Sequence, residues 1–191
     1  MALTPTLQTR RLWLRPLRLA DAPAIQRRFP RWEVVRFLSA VVPWPYPADG
    51  AEVFVAGQVA QMEAGMRSLW GLWLKGGPDE VIGIIELWPP RDARRDSRGF
   101  WLDPDFQGRG LMTEAADAVT DYAFRELGWP FLWLGNAKAN IRSARVKERQ
   151  GALLIDEVPF AFVSGKDLRQ VWLLEAKDWL ARRGPGGLAR K

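Results

Sequence analysis

The stretch "GFWLDPDFQGRGLMTEAADAV", Gly99 to Val119, passes from an apolar run into a helical pattern with only the turn "DPDFQGRG" between them. Pro104 ends the extended segment, and two glycines let the backbone come close to a neighbour or a ligand. The N–H groups of Gln107, Gly108, Arg109, Gly110, Leu111 and Met112 then converge where a helix begins. Unpaired N–H groups and the positive end of the macrodipole favour an anion there. Arg109, between the glycines, adds a formal charge. Two familiar phosphate loops are excluded: G-x-x-x-x-G-K-[ST] is absent, and Thr113 stands where G-x-G-x-x-G needs its third glycine. On spacing alone, such a turn serves a plain connection as readily as an anion site.

Around this stretch the pattern is regular. "RRLWLRPL" suits a first strand, and "ADAPAIQRRF" offers Asp21 as N-cap with Pro23 in the first turn of a helix. The segment "VVPWPYPADG" is a loop whose Trp44 and Tyr46 pack inward or line a pocket. Residues Val53, Phe54, Val59 and Met62 give "DGAEVFVAGQVAQMEAG" a helical period. Three strands follow, "SLWGLWLK", "EVIGIIEL" and "RGFWLD". Then come helix "LMTEAADAVTDYAFREL", strand "FLWLG", helix "NIRSARVKERQG" and strands "LLIDEVPF" and "QVWLLEA" around the turn "SGKD". The expected order is β-α-α-β-β-β-α-β-α-β-β, a mixed α/β single sheet. One domain is expected over residues 1–181, with 182–191 a basic, disordered tail.

Composition narrows the chemistry. The 191 residues include no Cys and no His, so thiolate nucleophiles, His bases, Ser-His-Asp triads and the usual zinc sites are excluded; no metal is expected. The net charge is +6 and the pI about 10.2. Arg outnumbers Lys 22 to 6 and is scattered, with clusters only at "RDARRDSR" and in the tail, so nucleic acid is expected to bind through the tail if at all. With no apolar run of bilayer length and no signal-like start, the expectation is a cytoplasmic protein without a membrane partner.

The loop "QGRGLM" resembles the Q/R-x-x-G-x-G/A pyrophosphate loop of the GNAT superfamily of acyl-CoA-dependent N-acetyltransferases. Its flanks, with "TRRLWLRPLRLADAPAI", "VVRFLSAVVPWPYPADGAEVFV" and "NIRSARVKERQGA", resemble the RimJ/RimL-type branch. The resemblance spans most of Leu7 to Ala176. It implies a mostly antiparallel central sheet flanked by helices, with acetyl-CoA as donor. The acceptor it implies is a primary amine, on a protein N-terminus or a small molecule; a homodimer is left open. It further implies that backbone groups at Leu102 and Asp103 meet the pantetheine arm, and that Asn140 and Ser143, at i and i+3 on a helix, hydrogen-bond it. Read from the residues alone, Asn140 is an N-cap and Ser143 a surface residue. The chain departs from the branch at Met112, where Gly or Ala is usual, and at Ala152, where an aromatic is common. Ser97 stands where a Glu is common, and "PFAFV" replaces a strand that carries a Glu in some relatives.

Amide formation from a thioester needs a neutral amine, a stabilised oxyanion and a route for one proton. Glu86 is the first candidate base. Alternation puts Ile82, Ile84 and Glu86 on one face and Val81, Gly83, Ile85 and Leu87 on the other, so Glu86 ends an apolar face where desolvation raises its pKa. A solvated face is the rival reading. Asp96 is the second candidate, and Ser143 the candidate donor to the departing thiolate. The alternative function is a GNAT-fold protein without catalysis that binds nucleotide or RNA.

Overall fold

The computed structural model describes residues 4–90 and 96–184. The elements are β1 (Leu7–Gln8), β2 (Leu12–Pro16), α1 (Ala22–Arg28), α2 (Trp32–Val35), α3 (Gly50–Glu63), β3 (Ser68–Leu74), β4 (Gly83–Leu87) and β5 (Arg98–Leu102). They continue with α4 (Leu111–Asp121), β6 (Phe131–Ala137), α5 (Ile141–Gln150), β7 (Leu153–Phe162), β8 (Gly165–Glu175) and α6 (Ala176–Arg183). All eight strands form one sheet in the order β1-β2-β3-β4-β5-β6-β8-β7. Every pairing is antiparallel except β5 with β6, which run parallel and pair only at Arg98 and Leu134. A mixed α/β sheet, mostly antiparallel, is what the sequence pattern and the resemblance together imply.

Two apolar layers clamp the sheet. On one face α4, α5 and Trp179 of α6 cover Leu12, Leu14, Trp70, Leu72, Ile85 and Leu134. On the other, α1, α2 and α3 cover Leu69, Trp73, Ile84 and Trp101. The expected elements are present, and three short ones escape the periodic signal: β1, α2 and α6. None is long enough to show a repeat of its own. The last is held by Trp179, fully buried, whose indole N–H donates to Asp121 Oδ1 at 2.8 Å. Of the expected tail, Arg182 and Arg183 close α6, and residues 185–191 lie outside the described ones. So does most of the basic stretch at Arg91–Arg98, since residues 91–95 are not described.

Three local expectations need correction. Asp21 does not cap α1 with its side chain; its carboxylate accepts from the Arg18 backbone N–H at 2.8 Å, closing the short 3₁₀ turn before the helix. On α3 the buried line is Ala51 and Val55, with Phe54, Val59 and Met62 half-buried, whereas Val53 is 65% exposed. The helical period is present there, but contact with α1 selects a face that excludes Val53. The alternation in β4 also slips. Ile82 packs with Ile85 and Leu87, and Val81 packs with Ile84, because the chain becomes a regular strand only at Gly83. Glu86 and Ile84 do share a face from there on.

Gly83 is the tight point. A Cβ built on it would lie 2.6 Å from the Trp101 carbonyl oxygen and 3.0 Å from Leu102 Cδ1. Gly83→Ala is therefore expected to destabilise the fold by about 1 to 3 kcal/mol through overpacking, read from denaturant unfolding; an unchanged midpoint would mean that β4 and β5 separate freely at this point.

Candidate functional site

The single parallel pairing leaves β5 and β6 to diverge beyond Arg98. Asp103 N–H donates to Ile82 O at 2.9 Å. Backbone alternation then turns Gly99 and Trp101 toward β4, and Phe100 and Leu102 toward the gap. A cleft of about 610 Å³ opens there. It is lined by Phe100 and Leu102, by the turn and first residues of α4, by Asn140, Ser143 and Val146 of α5, and by Glu33, Arg36 and Phe37 around α2.

At the wide end the turn behaves as an open cradle. Pro104–Phe106 form a 3₁₀ turn, capped by the Asp103 carboxylate, which accepts from the Asp105 N–H at 3.1 Å. Gly108 and Gly110 have φ of 77° and 74°, the left-handed region that other residues adopt at a cost. A Cβ on Gly108 would meet nothing within 4 Å, and one on Gly110 only Arg11 Nη2 at 3.6 Å. The Gln107 N–H is taken by Pro104 O at 3.1 Å. The next six, from Gly108 to Thr113, have no acceptor among the described residues. They sit at the N-terminus of α4, an eleven-residue helix, so the donors and the dipole point at the same space.

The side chains of this turn brace it. Gln107 Nε2 donates to Leu102 O at 2.7 Å, and its Oε1 accepts from Arg142 Nη1 at 2.7 Å. Arg109 does not aim its charge into the cleft; its Nη2 donates to Asp105 O at 3.0 Å, and its guanidinium lies over the Phe106 ring. Leu111 and Met112 bury their side chains in the core where it meets the cleft. Asp103 is fully buried, held by Arg28 at 2.5 Å and by Arg31 at 3.3 Å. Its backbone N–H is spent on β4 and its side chain on these two arginines and the Asp105 N–H, so Phe100 and the Leu102 N–H carry the free strand edge.

Cations the sequence reading passed over lie beside this cradle. Arg142, Arg145 and Arg149 all line the cleft from α5. Their spacing of three and four residues was the available signal for a one-sided basic face, hidden because Arg is frequent throughout the chain.

At the narrow end, Asn140 caps α5 by accepting from Ser143 N–H at 3.1 Å. Ser143 also faces the cleft, and Lys147, only 2% exposed, donates to its Oγ at 2.9 Å. Asp96 pairs with Arg169 at 2.5 Å. Burial raises its carboxyl above the usual range, against the pull of Arg169 and Lys147. Arg98 is buried among Thr120, at 2.8 Å, and Gln150, at 2.7 Å; burial lowers it to about 10, with Asp117 opposing. Gln150 in turn donates to Asp117 at 2.9 Å.

Glu86 lies apart from this group, on the sheet face covered by α3. Its Oε2 accepts from Arg67 at 3.0 Å, and its Oε1 lies so close above Gly99 that a Cβ there would meet it at 2.8 Å. Burial raises its pKa to about 7, and Arg67 restrains the rise. The structure thus brings Asp96 and Ser143 together through Lys147, and sets Glu86 across β5 from them. Among the described residues no group of three acidic, His or Cys side chains is placed to hold a metal, and no helix is long and apolar enough to cross a membrane.

A mostly antiparallel sheet splayed beside one parallel pair, with a row of helix N-terminal N–H groups at its open end, defines a mixed α/β protein. The chain belongs to the acetyltransferase (GNAT) domain family, which matches residues 11–153. It is 39% identical over 75 residues to "Probable N-acetyltransferase YjcK" of Bacillus subtilis (strain 168), a stretch covering 38% of this chain and 41% of that protein. Among solved structures it resembles the ribosomal-protein-S5-alanine acetyltransferase of Vibrio fischeri, with a TM-score of 0.75 at 17% identity, covering 92% of this chain and 98% of that one. The RimL ribosomal L7/L12 alpha-N-protein acetyltransferase in complex with coenzyme A gives 0.74 at 17%, covering 90% and 98%. At that identity the likeness is one of fold.

Removing the restraint on Glu86 has a predictable sign. Arg67 lowers its pKa, so Arg67→Met is expected to move the Glu86 titration upward from about 7, measured by carboxyl NMR; a downward move would show that Arg67 is not its partner in solution.

Proposed function

We propose that this chain is an acetyl-CoA-dependent N-acetyltransferase whose acceptor is a primary amine. The observation that carries this reading is the run of unpaired N–H groups from Gly108 to Thr113, opening onto a cleft that follows a free strand edge. The donor set fits coenzyme A on two counts. Six backbone donors and the α5 arginines suit its phosphates, and the space beside Gly108 and Gly110 that a Cβ would enter is open. The pantetheine amides find their pairing groups on Phe100 and Leu102.

When bound, acetyl-CoA supplies an activated acyl carbon. The chain's part is to hold and polarise it. Backbone N–H groups of β5 that face the gap are fixed donors for the oxygen that gains charge. Glu86, beside Gly99 on the opposite face, takes a proton from the acceptor through water. Its pKa of about 7 lets it remain ionised near neutral pH while still holding a proton well.

That value also bears on the acceptor. An α-amino group, at about 7.7 to 8.0, gives up its proton near neutrality far more readily than a lysine at about 10.4. We therefore propose a protein N-terminus or a small amine of similar basicity, in line with the fold neighbours named as a ribosomal-protein-S5-alanine acetyltransferase and a ribosomal L7/L12 alpha-N-protein acetyltransferase. A cytoplasmic setting, where such acceptors are made, belongs to the same proposal. Turnover of acetyl-CoA against N-terminal peptides and small amines tests the reading; affinity for RNA without any turnover would favour the non-catalytic alternative.

Coenzyme A is expected to raise the melting temperature of the wild type, and Gly110→Val to abolish that rise, since the branched side chain enters the cradle. A persisting rise in the folded variant would move the phosphates elsewhere. Glu86→Gln is expected to lower kcat by about 10² with coenzyme A affinity intact. Below about 7 the wild-type rate should climb with pH as Glu86 ionises; wild-type kcat in the variant at neutral pH would remove Glu86 from the mechanism.

A further inference from the structure

Lys147 is a charged side chain placed where packing alone would favour an apolar one. It is 2% exposed, and burying an ammonium costs more than any surface role returns. Its place in the fold is specific. It lies one helical turn after Ser143 on α5, and Nζ donates to Ser143 Oγ at 2.9 Å and Ser143 O at 3.3 Å. Ser143 lines the cleft, so the hydroxyl stands between the amine and any ligand there. Nζ also lies 5.4 Å from the centre of the Phe100 ring, which belongs to the strand edge facing the gap. The charged groups that face it are Asp96 ahead of β5, Arg98 on β5 and Arg169 on β8. Two of the three are cations.

From this placement we propose that Lys147 supplies the proton taken up by the departing thiol of coenzyme A, passed through the Ser143 hydroxyl. The proposal rests on the acetyltransferase reading above. A thiolate expelled into a narrow cleft beside Phe100, Leu102 and Val146 loses hydration, which disfavours the charged form. Nearby cations offset that loss, and a proton removes it. As the carbon–sulfur bond breaks, its electron pair stays on sulfur. The Ser143 Oγ–H proton moves to sulfur while Oγ takes a proton from Nζ. The hydroxyl is thereby restored, the thiol is neutral, and Lys147 is left as a neutral amine. The proton lost by the acceptor nitrogen balances the one that Lys147 gives, and returns it to the ammonium form through solvent.

The electrostatics suit such a donor. Burial, with Arg98 and Arg169, pushes the Lys147 ammonium down to about 7, against Asp96, so the proton is held loosely at working pH. Lys147 acts through Ser143 and is a positioning and proton-supplying residue rather than one that touches the acyl group.

The test reads the sulfur itself. Coenzyme A is bound to the wild type, Lys147→Met, Lys147→Arg and Ser143→Ala, and the bound thiol is titrated by its thiolate ultraviolet absorbance. In the wild type it should ionise below the ordinary thiol value of about 8.5. In Lys147→Met it should move up by about one pH unit or more, and Lys147→Arg, which keeps the charge, should hold it low. In amine acetylation, Lys147→Met and Lys147→Arg should both lose about 10² in kcat, because neither titrates near neutrality, with KM for acetyl-CoA little changed. Adding Ser143→Ala to Lys147→Met should cost no more than either alone. A purely structural lysine would lower the melting temperature and leave the thiol titration unmoved. The same thiol titration in the wild type and Lys147→Met overturns the proposal. Coenzyme A failing to bind the wild type overturns instead the cofactor reading on which it stands.

Discussion

One bridge, between Arg98 and Leu134, sets the geometry of the site. Up to that point β5 and β6 are neighbours in one sheet; past it they part, and the edge that β6 would have satisfied is left to other partners. An exposed edge within a sheet is costly and invites pairing with a foreign chain. Here it is narrow, walled by α4 and α5, and partly occupied, since Gln107 Nε2 covers Leu102 O and Asn140 N–H covers Ala137 O. The turn with its row of N–H groups follows from the same event, because the chain that leaves β5 must turn at once into α4 to reach the parallel strand β6.

Buried charge surrounds the vertex, and its satisfaction is graded. Asp103 is fully buried yet held by two arginines from the α1–α2 region, a pair that ties that helical corner to the end of β5. Arg98 reaches Thr120 and Gln150, and through Gln150 its charge is answered by Asp117. Arg98 Nε has no partner among the described residues. Among the described residues, Lys147 has only Ser143 as hydrogen-bond partner and feels one carboxylate, Asp96, against two arginines. The charges are thus well paired around Asp103 and under-compensated around Lys147. Perturbed ionisation of this kind is common at working sites because reactive groups need it.

Glu86 and Lys147 occupy opposite faces of β5, one beside Gly99 and the other beside Phe100. Adjacent residues of a strand point to opposite faces, so two consecutive positions meet a buried carboxylate on one side and a buried ammonium on the other. The absence of a side chain at Gly99 is what lets the Glu86 carboxylate rest against the strand.

Much was legible in the chain order. The strand and helix periods, the turn with Pro104, Gly108 and Gly110, and the N-cap Asn140 depend on residues close in sequence, where alternation, helical spacing and backbone freedom act directly. The partnerships were not. Nothing near Asp103 announces Arg28 and Arg31, and nothing near Glu86 announces Arg67. Arg109 sits between the glycines and yet turns back to Asp105. Lys147 looks like one more cation on a basic helix until β5 and β8 enclose it. Local sequence determines which elements form and where the backbone can bend, because those preferences are summed over neighbours. Which charges are buried, and therefore which hold their protons differently, was decided only when distant segments packed together, because desolvation and pairing belong to the space between elements.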